Sequence, residues 1–331
     1  MQAVFLDKGT FSDNIDLPAP AGVTDYITYD DTPQELIIER CQNADIIFTN
    51  KVQISADVIA NLPKLKLIQL TATGMNNVDQ DACAKHNVAL YNVAGYAVKS
   101  VPEHTFMLML TAMRAGIHYH EKVADGTWQD DGNFCLLDIP LIDLEDKTLG
   151  IIGVGTIGKR VTDIARAFGM TVLWAEHQGR TPRNEDYTAF DEVLAQSDVL
   201  SLHCPLNEQT KHIINKDTLA KMAKQPLIVN VARGGIVDSQ ALSDAINNEQ
   251  IIGYATDVFE QEPIVKDDPL LTLSNHPRVI FSPHNAWGSK SAQETLWQIL
   301  SLAVKSTISF ALTMKWLLLW QPNQRSGTRK K

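Results

Sequence analysis

Residues 148–158 read Thr148-Leu149-Gly150-Ile151-Ile152-Gly153-Val154-Gly155-Thr156-Ile157-Gly158. A short apolar run leads into three glycines at the spacing G-x-G-x-x-G. Beyond them Ile157, Val161, Ile164, Ala165 and Phe168 fall on one face of a predicted helix, with Gly169 placed to cap it. Strand, tight turn and helix in that order open a dinucleotide-binding βα unit. Gly153 allows the turn, Gly155 lets a pyrophosphate approach the backbone, and Gly158 lets helix and strand pack closely. The diphosphate would sit on free N–H groups at the helix N-terminus. Three glycines alone are a weak signal; the strand before and the helix after make this one specific.

Toward the C-terminus the same alternation continues, with predicted strands at Thr171–Ala175, Val199–His203, Leu227–Val231, Ile251–Thr256 and Val279–Phe281. Toward the N-terminus, candidate strands are Ala3–Leu6, Ile46–Thr49, Leu67–Leu70 and Val88–Tyr91, with helical spacing over Thr32–Cys41 and Ser55–Leu62. Alternating β and α implies parallel sheets covered on both faces, so the fold class is α/β, doubly wound. Between the blocks, Val101–Ala115 is apolar nearly all round and is predicted to be buried in a core or a subunit interface. A polar loop over Asp125–Asp138 follows it. The last helix, from about Ser291, repeats apolar residues at Leu296, Ile299, Leu300, Ala303, Val304 and Ile308. It is expected to return to the first block. The expected boundaries are residues 1–98 for the first part of one domain, 99–288 for the dinucleotide-binding domain, and 289–331 for the return and a C-terminal tail.

At 331 residues the chain is long enough for two cores, and 44% hydrophobic and 21% charged residues are ordinary for a globular protein. A formal charge of −10 argues against nucleic acid or an anionic membrane as partner. The run near Trp316–Trp320 is too short to span a bilayer, and Ala3–Leu6, cut off by Asp7 and Lys8, is too short for a signal-peptide core. The basic ending Arg325–Lys331 reads as a frayed tail. Cys41, Cys83, Cys135 and Cys204 are scattered with no C-x-x-C pair, which fits a reducing compartment and offers no metal site. A cytoplasmic protein is expected.

Three polar residues stand just beyond predicted strands: Arg233 after Leu227–Val231, Glu262 beyond Ile251–Thr256 and Asp257, and His284 after Val279–Phe281. Ligands of open α/β sheets bind outside the carboxyl ends of the strands, so the three are predicted to share one crevice. The guanidinium fork suits a substrate carboxylate and polarises a neighbouring keto oxygen, and Gly234 and Gly235 give the chain freedom to turn out of the strand. His284 is the candidate acid in reduction and base in oxidation. Unperturbed imidazole titrates near 6.5, so only about a tenth would carry a proton at pH 7.5. Glu262 is the expected remedy, because an opposite charge alongside favours imidazolium. The other histidines read as caps or core hydrogen bonds; His118 and His120, two apart on a helix, cannot face one metal. Glu176, just past the strand Thr171–Ala175, can accept the ribose hydroxyls of NAD and would repel the 2′-phosphate of NADP. Arg180 nearby is the competing consideration, and NAD is favoured.

Together, Gly153-x-Gly155-x-x-Gly158, His203-Cys204-Pro205-Leu206, Val229-Asn230-Val231-Ala232-Arg233-Gly234, Asp257-Val258-Phe259-Glu260-Gln261-Glu262-Pro263 and Ser282-Pro283-His284 resemble the D-isomer-specific 2-hydroxyacid dehydrogenases. The resemblance runs from about residue 40 to about residue 300. It implies an NAD-binding Rossmann domain inserted into a flavodoxin-like substrate domain, and a homodimer packed through the region of Val101–Ala115. It assigns Arg233 to substrate binding, His284 to acid/base catalysis and Glu262 to tuning the histidine. Gly153, Gly155, Thr156, Ile157, Gly158, Glu176, His203, Pro205, Ala232, Asp257 and His284 are expected around the cofactor. Thr156 and Ile157 would meet the diphosphate and Asp257 the nicotinamide amide. Thr73, Gly74, Arg233 and Trp287 are expected around the substrate.

Ala286-Trp287 resembles the glycerate dehydrogenase (hydroxypyruvate reductase) branch, so the expected reaction is NADH-dependent reduction of hydroxypyruvate and glyoxylate. A D-lactate-type dehydrogenase acting on pyruvate or a bulkier 2-keto acid is the alternative. From a different class, an NAD-sensing corepressor shares the fold but has no need of arginine, glutamate and histidine together. Two departures stand out: the family usually carries Asp where this chain has Glu176, and the resemblance stops near Ser301.

Overall fold

The computed structural model describes residues 1–319, with side-chain surroundings through residue 309; the C-terminal tail expected over Arg325–Lys331 lies outside the described residues. The chain divides into two compact units, one formed by Met1–Tyr96 with the chain from Lys290, the other by Ala97–Ser289.

The first unit is a five-stranded parallel sheet in the order β2-β1-β3-β4-β5, with β1 at Gln2–Phe5, β2 at Asp25–Thr28, β3 at Ile46–Thr49, β4 at Leu67–Leu70 and β5 at Ala89–Tyr91. This 2-1-3-4-5 order is the flavodoxin-like one. Its central strands β3 and β4 are buried along their whole length, which is why they read as apolar runs, broken within β4 by the buried Gln69. The edge strand β2 has one neighbour and carries Asp25 and Thr28 outward, so it had no apolar signature to find. The helix Gln80–Lys85, capped by Asp79, is a second addition to the expected elements. Over Thr32–Cys41 the expected helix begins later: a 3₁₀ turn at Gln34–Leu36 follows Pro33, and only Ile37–Cys41 is α-helical.

The helix Lys290–Leu319 begins on this unit. Leu296, Leu300, Val304 and Ile308 are buried as the spacing implied. Ile299 is exposed instead, while Trp297 is buried, stacking on Phe5 at 5.8 Å and donating to the Pro18 carbonyl. Gln293 exchanges hydrogen bonds with Ser12 in the same unit.

The second unit holds a seven-stranded parallel sheet, β12-β11-β10-β9-β6-β7-β8. Its strands are β6 (Thr148–Ile152), β7 (Thr171–Ala175), β8 (Tyr187–Thr188), β9 (Val199–Leu202), β10 (Leu227–Asn230), β11 (Gly253–Thr256) and β12 (Val279–Phe281). Counted from β6, the order is 3-2-1-4-5-6-7, the Rossmann order with one added strand. The helix Ser100–Met113 lays Phe106, Leu108, Met109, Ala112 and Met113 against one face of this sheet. The loop expected over Asp125–Asp138 contains a short helix at Thr127–Asp131. Phe168 departs from the expected apolar face: it caps the helix Thr156–Ala167 and is exposed, its ring stacked on Phe106 at 5.3 Å. Among the described residues no helix is long and apolar enough to cross a membrane, and no cluster of side chains could hold a metal ion.

Candidate active site

Register explains why distant motifs meet. In the second sheet Ile152 pairs with Leu202, Leu202 with Asn230, Asn230 with Thr256, and Thr256 with Phe281. The strands therefore end flush at their carboxyl edge. The residues that leave that edge are Gly153, His203, Val231, Asp257 and Ser282, each the next residue after its strand. Order reverses between β6 and β9, which is where ligands bind in this architecture.

The glycine turn lies at that switch point. Gly153 has φ of +99°, and a Cβ there would lie 2.3 Å from the Cys204 nitrogen, so the turns after β6 and β9 touch backbone to backbone. A Cβ on Gly158 would lie 2.4 Å from the Gly153 carbonyl oxygen, which makes glycine necessary for the helix to close on the strand. Gly155 meets nothing within 4 Å. It is the N-cap of the helix Thr156–Ala167 and brings no capping side chain, leaving Thr156 and Ile157 at an uncapped first turn. An open, uncapped helix N-terminus beside a glycine is a fit for a diphosphate.

Glu176, at the end of β7, is buried and already engaged. Arg183 grips it with two side-chain bonds, Nε to Oε2 at 2.7 Å and Nη2 to Oε1 at 2.5 Å, and the backbone N–H groups of His177 and Arg183 add two more. The Arg183 side chain, then the His177 N–H, hold the carboxyl at a pKa of about 2. The arginine that matters here is thus Arg183 and not Arg180, whose backbone N–H closes a turn to the His177 carbonyl. Six residues of loop separate Arg183 from Glu176, and no sequence pattern announces their pairing. The Arg183 guanidinium also lies 4.4 Å over the Tyr187 ring.

Beyond β9, His203 Nε2 lies 2.8 Å from Ser201 Oγ, and burial pushes its pKa down to about 4. Pro205 beside it is exposed, and Ala232 is partly buried. Beyond β10, Asn230 organises the turn that presents Arg233. The Asn230 side chain is fully buried, accepts from Ala232 N–H and donates to the Arg233 carbonyl. A polar residue closing an apolar strand was its only trace in the sequence. Arg233 Nη1 donates to the Ala232 carbonyl at 2.7 Å, and among the described residues the guanidinium forms no ion pair. Gly234 is not required for freedom to turn, contrary to the expectation from sequence. Its φ is not in the left-handed region; its Cβ would lie 1.9 Å from the carbonyl carbon of Phe259. Close packing against the Phe259–Glu260 backbone, and not freedom to turn, requires glycine there.

That packed segment leads to Glu262, whose Oε1 accepts from Phe259 N–H at 3.1 Å. Its Oε2 lies 2.6 Å from His284 Nδ1, so the expected carboxylate–imidazole pair is formed. With Nδ1 turned to the carboxylate, Nε2 is the ring nitrogen left to meet a reactant. Asp257 is buried beneath this turn, its carboxylate bound to Ser282 and to the backbone of Asn285 and Ala286. Trp287 follows, partly buried. Thr73 and Gly74 belong to the first unit, on the loop after β4, where Thr73 Oγ1 donates to the Val93 carbonyl.

A family model described as "D-isomer specific 2-hydroxyacid dehydrogenase, NAD binding domain" matches residues 106–286, more than half the chain. The chain belongs to the D-isomer-specific 2-hydroxyacid dehydrogenases. It is therefore a dehydrogenase with an NAD-binding domain. Among relatives, it is 40% identical to a glycerate dehydrogenase of Methylorubrum extorquens, over 80% of this chain and 82% of that protein. It is 36% identical to a hydroxypyruvate reductase of Blautia hydrogenotrophica, over 81% and 83%. A crystal structure of D-lactate dehydrogenase from Aquifex aeolicus, complexed with NAD and lactic acid, is similar at a TM-score of 0.74 and 26% identity, covering 94% of this chain and 97% of that one. This D-2-hydroxyacid dehydrogenase thus pairs two parallel α/β units, the second carrying the glycine turn and the His284–Glu262 pair on one sheet edge.

Proposed function

We propose that the protein reduces hydroxypyruvate to D-glycerate, and glyoxylate to glycolate, using NADH. The observation that carries the reading is the 2.6 Å contact of His284 Nδ1 with Glu262 on the sheet edge where Arg233 stands free of any ion pair among the described residues. When bound, the nicotinamide cofactor supplies the hydride that reaches the 2-carbon. Arg233 binds the substrate carboxylate and polarises the keto oxygen beside it. His284, oriented through Nδ1, gives its Nε2 proton to that oxygen and takes it back in the reverse direction. Glu262 fixes the ring's orientation and offsets the positive charge while the ring holds the proton. Preference for hydroxypyruvate draws support from the two named relatives and from the Ala286-Trp287 pair.

NAD over NADP is supported by the ionised Glu176 at the end of β7, which would repel a 2′-phosphate. A homodimer is supported by apolar side chains left at the surface of the second unit: Phe134 is 97% exposed, and Leu137, Met107, Ile117 and Val123 are also exposed. A net charge of −10 and the four free cysteines support a cytoplasmic protein that binds neither nucleic acid nor membrane.

The test is a panel of hydroxypyruvate, glyoxylate and pyruvate with NADH and with NADPH, run on the unaltered protein and on His284→Ala. Fastest turnover of hydroxypyruvate with NADH, abolished by His284→Ala, is expected. Faster turnover of pyruvate would overturn the substrate assignment, and undiminished turnover in His284→Ala would overturn the mechanism.

A further inference from the structure

One carboxylate ties together the turn that carries His284. Asp257 Oδ1 accepts from the Ser282 hydroxyl at 2.6 Å and from Asn285 N–H at 3.0 Å, and Oδ2 accepts from Ala286 N–H at 2.9 Å. His284 lies between these anchors with φ of +51°, in the left-handed region that a residue with a Cβ rarely enters unless its surroundings hold it there. Its own N–H closes back on the Ser282 carbonyl at 3.1 Å. The residues on either side of the histidine are thus held by one buried group, and the backbone between them has no room to relax to an extended conformation.

Behind the carboxylate stands the start of the helix Ser100–Met113. His104 Nε2 lies 2.9 Å from Ser282 Oγ and 3.4 Å from Asp257 Oδ1. Burial raises the Asp257 carboxyl, but the nearby His104 imidazole, the Ser282 hydroxyl and the Ala286 and Asn285 N–H groups outweigh it and hold the group below its ordinary value. Asp257 is therefore an ionised acceptor. A hydroxyl has a single hydrogen, and Ser282 Oγ lies 2.6 Å from Oδ1 against 3.4 Å from the Thr256 carbonyl, so that hydrogen points at Oδ1. The Nε2 of His104 must then carry a hydrogen and donate to Ser282 Oγ. The donors run from His104 to Ser282 to Asp257, the reverse of a hydrolytic triad, in which histidine accepts from serine. Ser282 is a bridge and not a nucleophile. One helical turn earlier, on the same face as His104, Ser100 Oγ donates to the Ala286 carbonyl at 2.6 Å.

We propose that Asp257, bridged through Ser282 to His104, is a positioning group that holds His284 in its left-handed conformation and so aims the imidazole at the substrate. This rests on the reading of His284 as the proton donor. It gives His104 and Ser282, neither of which that reading uses, a part in the reaction exerted through another residue. It also directs Asp257 toward the chain's own catalytic turn, in addition to any contact with the cofactor amide.

The test compares His104→Leu and Ser282→Ala, which break the bridge, with His104→Gln and Ser282→Thr, which keep a donor and a hydroxyl in place, and with His284→Ala as reference. kcat and KM for hydroxypyruvate, the Kd for NADH by fluorescence titration, and the thermal midpoint are read for each. Breaking the bridge is expected to lower kcat ~10- to 100-fold, as misplacement of a reacting group by about an ångström does. The NADH Kd should stay within about twofold, and the conservative variants should recover most of the loss. If Ser282→Ala does not fold, His104→Leu decides the matter, since it leaves all three bonds to Asp257 intact. Unchanged kcat in the bridge variants while His284→Ala is inactive would overturn the proposal. So would a loss of NADH affinity as large as the loss in kcat, which would place the cluster's effect on the cofactor. An active His284→Ala would instead overturn the reading beneath it.

Discussion

Glu262 Oε2 lies 2.6 Å from His284 Nδ1, across 22 residues of chain. The carboxylate reaches the histidine because β11 and β12 are paired in register and each releases its functional loop at the same edge. Glu262→Gln keeps the shape and removes the charge. We expect kcat for hydroxypyruvate to fall roughly 10- to 100-fold with little change in the NADH Kd, in line with the usual contribution of a positioned acid or base. Steady-state kinetics beside a cofactor titration would check it; an equal fall in cofactor affinity would count against the assignment.

The glycines of the turn should separate stability from binding. Gly155→Ala meets open space, so its thermal midpoint should stay close to that of the unaltered protein while the NADH Kd rises at least tenfold. Gly158→Ala drives a methyl group into the Gly153 carbonyl and should cost about 1–3 kcal/mol of folding stability, the usual range for overpacking. Urea denaturation and fluorescence titration of the two variants would show whether the losses divide this way.

Gly234 carries the second backbone contact of the site. Gly234→Ala places Cβ against the Phe259 carbonyl and must displace the segment that leads to Glu262. We expect destabilisation of about 1–3 kcal/mol or more, with activity lost at temperatures where the variant is still folded. Full activity in a variant of unchanged stability would show that the two loops can separate without consequence.

Cofactor choice should respond to the Glu176–Arg183 pair. Replacing Glu176 by Ser removes the repelling charge and frees the Arg183 guanidinium, a group suited to a 2′-phosphate. The ratio of kcat/KM for NADPH to that for NADH should rise at least tenfold. Arg183→Ala leaves Glu176 ionised without its partner and should move the ratio the other way.

His203 makes a pH prediction whose sign follows from burial. Its pKa is about 4 in the folded protein against roughly 6.5 in an unfolded chain. Between those values the unfolded state binds more protons, so stability falls as pH drops from about 6.5 toward 4. Glu176, held at about 2, contributes stability that is present above roughly pH 4 and lost as pH falls through about 2. Thermal midpoints from pH 7.5 to 4.5 should therefore fall less steeply for His203→Gln than for the unaltered protein. Parallel curves would remove His203 from the account.

Much of the molecule was legible because parallel strands buried on both faces leave unbroken apolar runs. β3 and β4 are buried from end to end and β6 everywhere but at Thr148, and the glycine turn between β6 and its helix identified the second unit as a dinucleotide-binding domain. The strand ends in turn marked Arg233, Glu262 and His284 as candidates. β2 and β8 escaped because an edge strand pairs on one side only and need not be apolar. Phe168 and Ile299 were misplaced because helical spacing sets which face a residue occupies and not how far the neighbouring elements extend over it.

Sequence alone determined the fold class, the family and the candidate residues at the sheet edge, since these depend on periodicity, turn chemistry and motif spacing within short stretches of chain. Tertiary structure decided the partners. That Arg183 and not Arg180 grips Glu176, that Gly234 makes room for the Phe259 backbone, and that Asp257 clamps both sides of His284 all depend on groups apart in the chain arriving within 3 Å of each other. Hydrogen bonds fall off over tenths of an ångström and backbone clashes are as sharp. No local pattern encodes distances that fine; the flush ends of a registered parallel sheet do.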